Sequence, residues 1–276
     1  MFQGSCSSIV ARGAVDLGIP NVIAGLFVGT VVGATGVGGG ALMTPILVLV
    51  FGVAPQTAVG TDLLYAALTK VFGTIVHHRH GTVDWPVVRR LAFGSLPAAA
   101  ATLAWMTLTS TAQIRSGFLI EAVAVALVIT SAGILSKDWL QRLGRRGQAG
   151  VADRLRRSQG ALTVLAGVIL GVLVTLTSIG AGALGTVMLV YLYPVRLNPS
   201  RLVGTDLAHA IPLALIAGLG HLALGNVNYG LLGNLLIGSI PGVLLGSWIS
   251  TRAPMQVVRV GLAIILAAVA IKMFLT

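Results

Sequence analysis

Apolar stretches of about twenty residues recur along the chain, separated by short polar or glycine-rich interruptions. In the first half they fall at 58–77, 87–108 and 114–135, and in the second at 202–221, 231–250 and 257–275. An α-helix needs roughly 20 apolar residues to cross a bilayer. Two longer segments, 21–51 and 160–193, are broken internally. The first break is Thr35-Gly36-Val37-Gly38-Gly39-Gly40 and the second is Thr177-Ser178-Ile179-Gly180-Ala181-Gly182. The pattern predicts six full spans plus two interrupted segments, with a tail over 1–20 and a hydrophilic linker over 136–158.

The two halves repeat. At an offset of 144, Val59-Gly60-Thr61-Asp62-Leu63 falls on Val203-Gly204-Thr205-Asp206-Leu207, and His77 falls on His221. The same offset carries Gly94-Ser95-x-Pro97 onto Gly238-Ser239-x-Pro241 and Arg115-x-Gly117 onto Arg259-x-Gly261. The breaks align at 142. A single offset held over more than fifty residues marks a duplication, with repeats at 21–135 and 159–276.

Charge orients the repeats. Connectors 52–57 and 107–114 are neutral, whereas 78–90 carries Arg79, Arg89 and Arg90 and the linker is strongly basic. In the second half 194–201 carries Arg196 and Arg201, 222–230 is uncharged, and 251–259 carries Arg252 and Arg259. The basic connectors are out of phase between repeats, so positive-inside logic turns one half upside down relative to the other. Inversion requires an odd number of crossings per half. Each broken segment then becomes a re-entrant hairpin, whose arms of about 12 to 15 residues are too short to cross ~30 Å at 1.5 Å per residue. The expected fold is an all-α polytopic membrane protein of two inverted repeats, each a re-entrant helical hairpin plus three transmembrane helices. The rival arrangement has eight full spans and parallel halves, and leaves Arg196 and Arg201 outside.

Composition agrees with a membrane setting: 9% of residues are charged, against about 25% in soluble domains, and mean hydropathy is +0.96. The net charge of +11 does not imply nucleic acid, because seven of the 18 basic residues sit in the linker, as on the cytoplasmic side of membrane proteins. The single cysteine, Cys6, excludes an internal disulfide. Neither glycine break continues into Gly-Lys-Ser/Thr, so no nucleotide loop is present. No cofactor is expected. His77, His78, Arg79 and His80 lack a carboxylate or cysteine at metal-ligand spacing.

The duplicated glycine break, the Gly-Thr-Asp-Leu stretches and the Gly-Ser-x-Pro stretches resemble the sulfite exporter TauE/SafE family of membrane transporters. The resemblance runs from Ile23 to the C-terminus outside the linker. It implies movement of a small sulfur-containing anion, sulfite or an organosulfonate, across the cytoplasmic membrane. Ser178 and Ala181 stand where the first break has glycines.

Two interrupted segments in equivalent places point to a transporter's binding site. Helix N-termini at Gly39–Ala41 and Gly182–Ala183 offer backbone donors and a favourable dipole to an anion. The substrate-facing set is Thr35, Gly38, Gly39, Gly40, Thr177, Ser178, Gly180, Gly182, Thr61, Thr205, Tyr65, His209 and Lys70, with further hydroxyls at Thr44 and Thr186. Close helix packing is the plainer role for the glycines. Asp62 and Asp206 are either helix caps or, one turn inside, ion-coupling carboxylates. Tyr65 and His209 follow them by three residues on the same face. Lys70 either faces the path or snorkels to the interface. Glu121 pairs within the protein or faces an interface, and Arg115 and Arg259 either hold a sulfonate or carboxylate or, as their place at helix starts favours, anchor at the lipid boundary. Pro97, Pro212 and Pro241 are plausible hinges. Secondary transport by alternating access is the leading function. The alternatives are an anion channel on the same scaffold and a non-transporting component that binds a partner through the linker. The small residues suit helix contact and leave a homo-oligomer open.

Overall fold

The computed structural model describes residues 18–35, 40–109, 116–146, 152–180, 182–194, 196–250 and 255–274. Among these are ten helices and no strand: α1 Ile19–Thr35, α2 Gly40–Leu49, α3 Pro55–Arg79, α4 Trp85–Leu108, α5 Ser116–Arg146, α6 Ala152–Thr177, α7 Ala183–Leu192, α8 Pro199–Ala223, α9 Tyr229–Ser250 and α10 Met255–Phe274. Five carry apolar stretches long enough to cross a membrane, at Trp85–Leu108, Phe118–Ser136, Ser158–Thr177, Ser200–Ala223 and Tyr229–Gly246.

Local chemistry sets the helix ends, and it repeats. Asp84 caps α4 by accepting the Val87 N–H, and Asn198 caps α8 by accepting that of Arg201. At the ends of α3 and α8, Gly81 and Gly225 adopt φ of +63° and +76°. Each closes a paired turn: Gly81 and Thr82 donate to His78 and His77, and Gly225 and Asn226 donate to Leu222 and His221. This double closure needs a left-handed residue, which glycine supplies without a Cβ penalty.

The packing exchanges helices between halves. α1 lies chiefly on α9, and α6 on the equivalent α4, while α3 pairs with α8 and α5 with α10. Glycines allow the close approaches. Gly25 faces Leu235 and Gly29 faces Ser239, just as Gly167 faces Leu91 and Gly171 faces Ser95, all at backbone distance. The numbers rise together, so each of these pairs is parallel. Gly60 faces His221, Gly218 faces Leu64 and Gly204 faces His77. There one number rises as the other falls, so α3 and α8 are antiparallel. Large apolar side chains such as Phe93, Leu108, Leu244 and Ile264 are exposed, as a lipid-facing surface requires.

Two expectations need correction. The arms of the broken segments are unequal, at 17 and 10 residues in the first half and 26 and 10 in the second. The second break stops α6 only at Thr177, which leaves the 20 apolar residues Ser158–Thr177 ahead of it. That arm can cross alone; only the ten-residue arm is too short, at about 15 Å. The basic linker, expected as a loop, is helical at both ends, because α5 runs on to Arg146 and α6 begins at Ala152. Its Leu, Arg, Lys and Gln residues are good helix formers.

One ion pair ties two connectors together. Arg196 donates from Nε to Asp84 Oδ2 at 2.8 Å and from Nη2 to Oδ1 at 2.9 Å. The α3–α4 and α7–α8 connectors therefore lie on one face of the molecule.

Candidate functional site

Among the described residues, the antiparallel pair α3 and α8 carries most of the buried ionisable groups. Asp62, Tyr65 and Lys70 project from α3, and Asp206 and His209 from α8; all five are buried. The aspartates are not caps. α3 starts at Pro55 and α8 at Pro199, so both carboxylates lie about two turns inside their helices. Ionisable groups buried at such depth in a membrane protein are costly to keep there.

Asp62 Oδ2 accepts the Thr44 hydroxyl at 2.6 Å. That bond ties α3 to α2, whose first residue is Gly40. The Ser178 hydroxyl, from the break in the other half, lies near the same carboxylate. Asp206 sits against α7, where a Cβ on Gly185 would strike its Oδ1. Lys70 does not snorkel. It is 4% exposed and interacts with both Asp62 and Asp206, and His209 also feels its charge. Because α3 and α8 are antiparallel, the aspartates lie toward opposite ends of the pair, and Lys70 falls between them.

Tyr65 donates to Ser239 Oγ at 2.8 Å. His209 Nε2 is hydrogen-bonded to Ser95 Oγ, also at 2.8 Å. These are the same contact in the two halves, with tyrosine replaced by histidine. His209 Nδ1 has no hydrogen-bond partner among the described residues. Ser95 and Ser239 were not in the candidate set. The 144-residue offset that pairs Tyr65 with His209 also pairs these serines, and was the signal that could have found them.

Thr61 and Thr205 hold the frame. Thr61 Oγ1 accepts the Asn228 N–H at 3.1 Å, and Thr205 Oγ1 accepts the Asp84 N–H at 3.0 Å. Each threonine thus receives the chain at the entry to a helix of the opposite half.

The second break is held open by its own backbone. Ser178 has φ +58°, Gly180 +127° and Gly182 +137°. For serine this left-handed conformation is uncommon. The Thr177 hydroxyl donates to Leu173 O at 2.7 Å and accepts the Ile179 N–H at 3.1 Å, so the local turn uses it. Thr186 donates to Gly182 O. In the first break, Gly38 and Gly39 lie outside the described residues, as does the Thr35 side chain. Arg115 and the Arg259 side chain also fall outside them, and Glu121 is exposed on α5. His77 Nδ1 bonds to Thr82 Oγ1 at 2.8 Å, and His221 Nε2 to Thr175 O at 2.9 Å. Pro97, Pro212 and Pro241 lie inside helices.

A duplicated helical core with interrupted helices and buried carboxylates is a membrane-transporter architecture. A family profile described as "Sulfite exporter TauE/SafE" matches residues 21–273. The chain belongs to the TauE/SafE family. Three relatives come from Bacillus subtilis (strain 168). The "Probable membrane transporter protein YjnA" is 40% identical over 250 residues, covering 88% of this chain and 96% of the relative. The probable membrane transporter protein YdhB is 26% identical over 231 residues, 84% and 89% of the two chains. The probable membrane transporter protein YunE is 24% identical over 220 residues, 75% and 79%. No solved structure matches the chain. As a TauE/SafE protein with five apolar helices of spanning length among the described residues, it is a multi-pass membrane protein of a transporter family.

Proposed function

We propose that the protein is a secondary transporter that carries a small sulfur-containing anion, sulfite or an organosulfonate, across the cytoplasmic membrane by alternating access. One observation carries the reading. Asp62, Lys70 and Asp206 are buried on equivalent helices that run antiparallel, beside two short interrupted helices. An antiparallel α3–α8 pair supports inverted repeats, each a re-entrant hairpin plus three spans. The basic connectors fall on one face in that arrangement, which positive-inside logic makes cytoplasmic.

The chemistry follows from the groups at hand. An anion entering a low-dielectric core needs donors that are already in place. Lys70 supplies a charge, and the N-termini of α2 at Gly40 and α7 at Ala183 supply N–H groups with a positive dipole end. His209 adds an imidazole. Asp62 and Asp206 are the coupling groups: their negative charge excludes an anion arriving alone and admits it together with a cation or proton.

A thermal-shift panel on detergent-purified protein tests the reading, with sulfite, sulfate, thiosulfate, taurine and carboxylated sulfonates. A ligand at a hundredfold excess over Kd stabilises the folded state by about 2.7 kcal/mol. Selective stabilisation by a sulfur anion, followed by saturable counterflow in liposomes, is the expected result. Stabilisation by unrelated anions alone would remove the substrate class. Flux without counterflow would indicate a channel.

A further inference from the structure

His209 is fully buried, and the protein satisfies only one side of its ring. Nε2 lies 2.8 Å from Ser95 Oγ, whereas Nδ1 has no hydrogen-bond partner among the described residues. Most buried polar atoms in folded proteins have a partner, because an unpaired one is costly. An orphan ring nitrogen in the α3–α8 core calls for a partner from outside the chain.

Ser95 decides which nitrogen carries the proton. A neutral imidazole has one N–H and one lone pair, and the bond made at one nitrogen fixes the other. The Ser95 hydroxyl makes no other hydrogen bond among the described residues. If it accepts from Nε2, two buried groups go unpaired: its own O–H and the Nδ1 lone pair. If it donates to Nε2, only the Nδ1 N–H does. The second arrangement is the better satisfied, so the proton sits on Nδ1. A charged ring carries a proton there as well. The serine is also held in place by α6. A Cβ on Gly171 would run into the Ser95 carbonyl and Cα, and one on Gly167 would lie 3.1 Å from the Ser95 nitrogen. The two glycines let α6 press on the α4 backbone at that residue.

The surroundings select what this donor would meet. Gly60 faces His221, Gly218 faces Leu64 and Gly204 faces His77. At that register Lys70 of α3 stands level with Ile211 and Pro212, under one turn along α8 from His209. Asp206, one turn back on α8, is turned to α7, where its Oδ1 sits against Gly185. A cation and an N–H donor at one level suit an anion with acceptor oxygens. The equivalent corner of the other half has neither. Tyr65 has a single polar atom, already bonded to Ser239, and the position matching Lys70 is Ala214.

We propose that His209 Nδ1–H donates to an oxygen of the transported anion, beside the Lys70 ammonium, and that Ser95 is the positioning residue that fixes this tautomer. The anion site is one-sided: of two corners related by the repeat, one binds and the other only packs. The word transported rests on the reading above, whereas the donor and its tautomer do not.

Glutamine and asparagine separate the two nitrogens. Glutamine at 209 can reach Ser95 and puts nothing where Nδ1 is; asparagine puts an amide N–H there and falls short of Ser95. Purified protein is melted with sulfite, methanesulfonate, nitrate and acetate at fixed pH and ionic strength, and the wild type is also labelled with 15N-histidine. Among its five histidines, the imidazole signal absent from both variants belongs to residue 209. The expected result is a ring protonated at Nδ1 and saturable stabilisation by a sulfur anion. His209→Gln should raise the half-saturating anion about tenfold or more, while His209→Asn melts lower without ligand and keeps the anion response. Ser95→Ala should shift the residue 209 signal away from the Nδ1-protonated form. A ring protonated only at Nε2, or equal anion responses in the wild type and His209→Gln, would overturn the proposal and leave the transport reading standing. No response of the wild type to any of these anions would overturn it as well. A response to nitrate or acetate alone, lost in His209→Gln, would uphold the donor and remove the sulfur-anion reading.

Discussion

Tyr65 and His209 hold equivalent places on α3 and α8, and each ends on the serine of a Gly-Ser-x-Pro stretch in the opposite half, at 2.8 Å. The likeness of the two contacts hides a difference in cost. Without its serine, His209 would have both ring nitrogens buried and unpartnered, since Nδ1 already has no partner among the described residues. Ser95→Ala should therefore cost about 1–3 kcal/mol. Tyr65→Phe removes a hydroxyl and leaves a serine that can turn to a carbonyl of its own helix, at about 0.5–1.5 kcal/mol. Thermal unfolding of the two variants in one detergent checks the order.

Lys70 balances two carboxylates at once. Its replacement by alanine leaves both uncompensated in a buried setting, and removal of one buried partner costs about 3–5 kcal/mol. Adding Asp206→Asn to Lys70→Ala should recover part of that loss. A double-mutant cycle, read by thermal unfolding, measures the coupling. Additive losses would mean that the lysine and the aspartate do not share the core.

The glycines divide by mechanism. At Gly238 a Cβ would run into the Val22 carbonyl and the Leu26 nitrogen, so Gly238→Ala forces α1 away from α9. Gly81 has φ +63° and open space around its missing side chain, so Gly81→Ala bears only conformational strain, about 1–2 kcal/mol. Monodispersity on size exclusion should be lost in the first variant and retained in the second.

Asp84 does three things: it caps α4, offers its N–H to Thr205 and pairs with Arg196. Arg196 is 45% exposed, and pairs of that kind contribute about 0.2–1 kcal/mol. Asp84→Ala should cost about 1 kcal/mol more than Arg196→Ala because it also removes a cap. Raising the salt concentration should shrink the effect of Arg196→Ala and leave the cap contribution in place.

The repeat, the helical class and the family were legible from one offset and a handful of motifs. The depth of Asp62 and Asp206 was partly legible, because Pro55 and Pro199 set the helix starts that decide it. The serine partners were harder to see. They belong to α4 and α9, and no linear pattern says that helices are exchanged between halves. The unequal arms were hidden for a different reason. A glycine break marks where a helix stops, but the distance it has already run depends on where its start is set, and polar Ser158 and Gln159 continue a helix as readily as they interrupt a hydropathy plot. Lys70 was ambiguous because a lysine stem can reach the interface from mid-helix; only the packing of α3 against α8 closes that route.

The pairing of α1 with α9 also has a consequence for biosynthesis. Gly25 leaves the ribosome about two hundred residues before Leu235, the residue it must face. At ~5–20 residues per second, α1 waits about 10–40 s for its partner. During that interval its glycine face meets only lipid or the insertion machinery. A helix made early is thus among the last to find its place, and a stop at any point before α9 leaves a chain with an open seam.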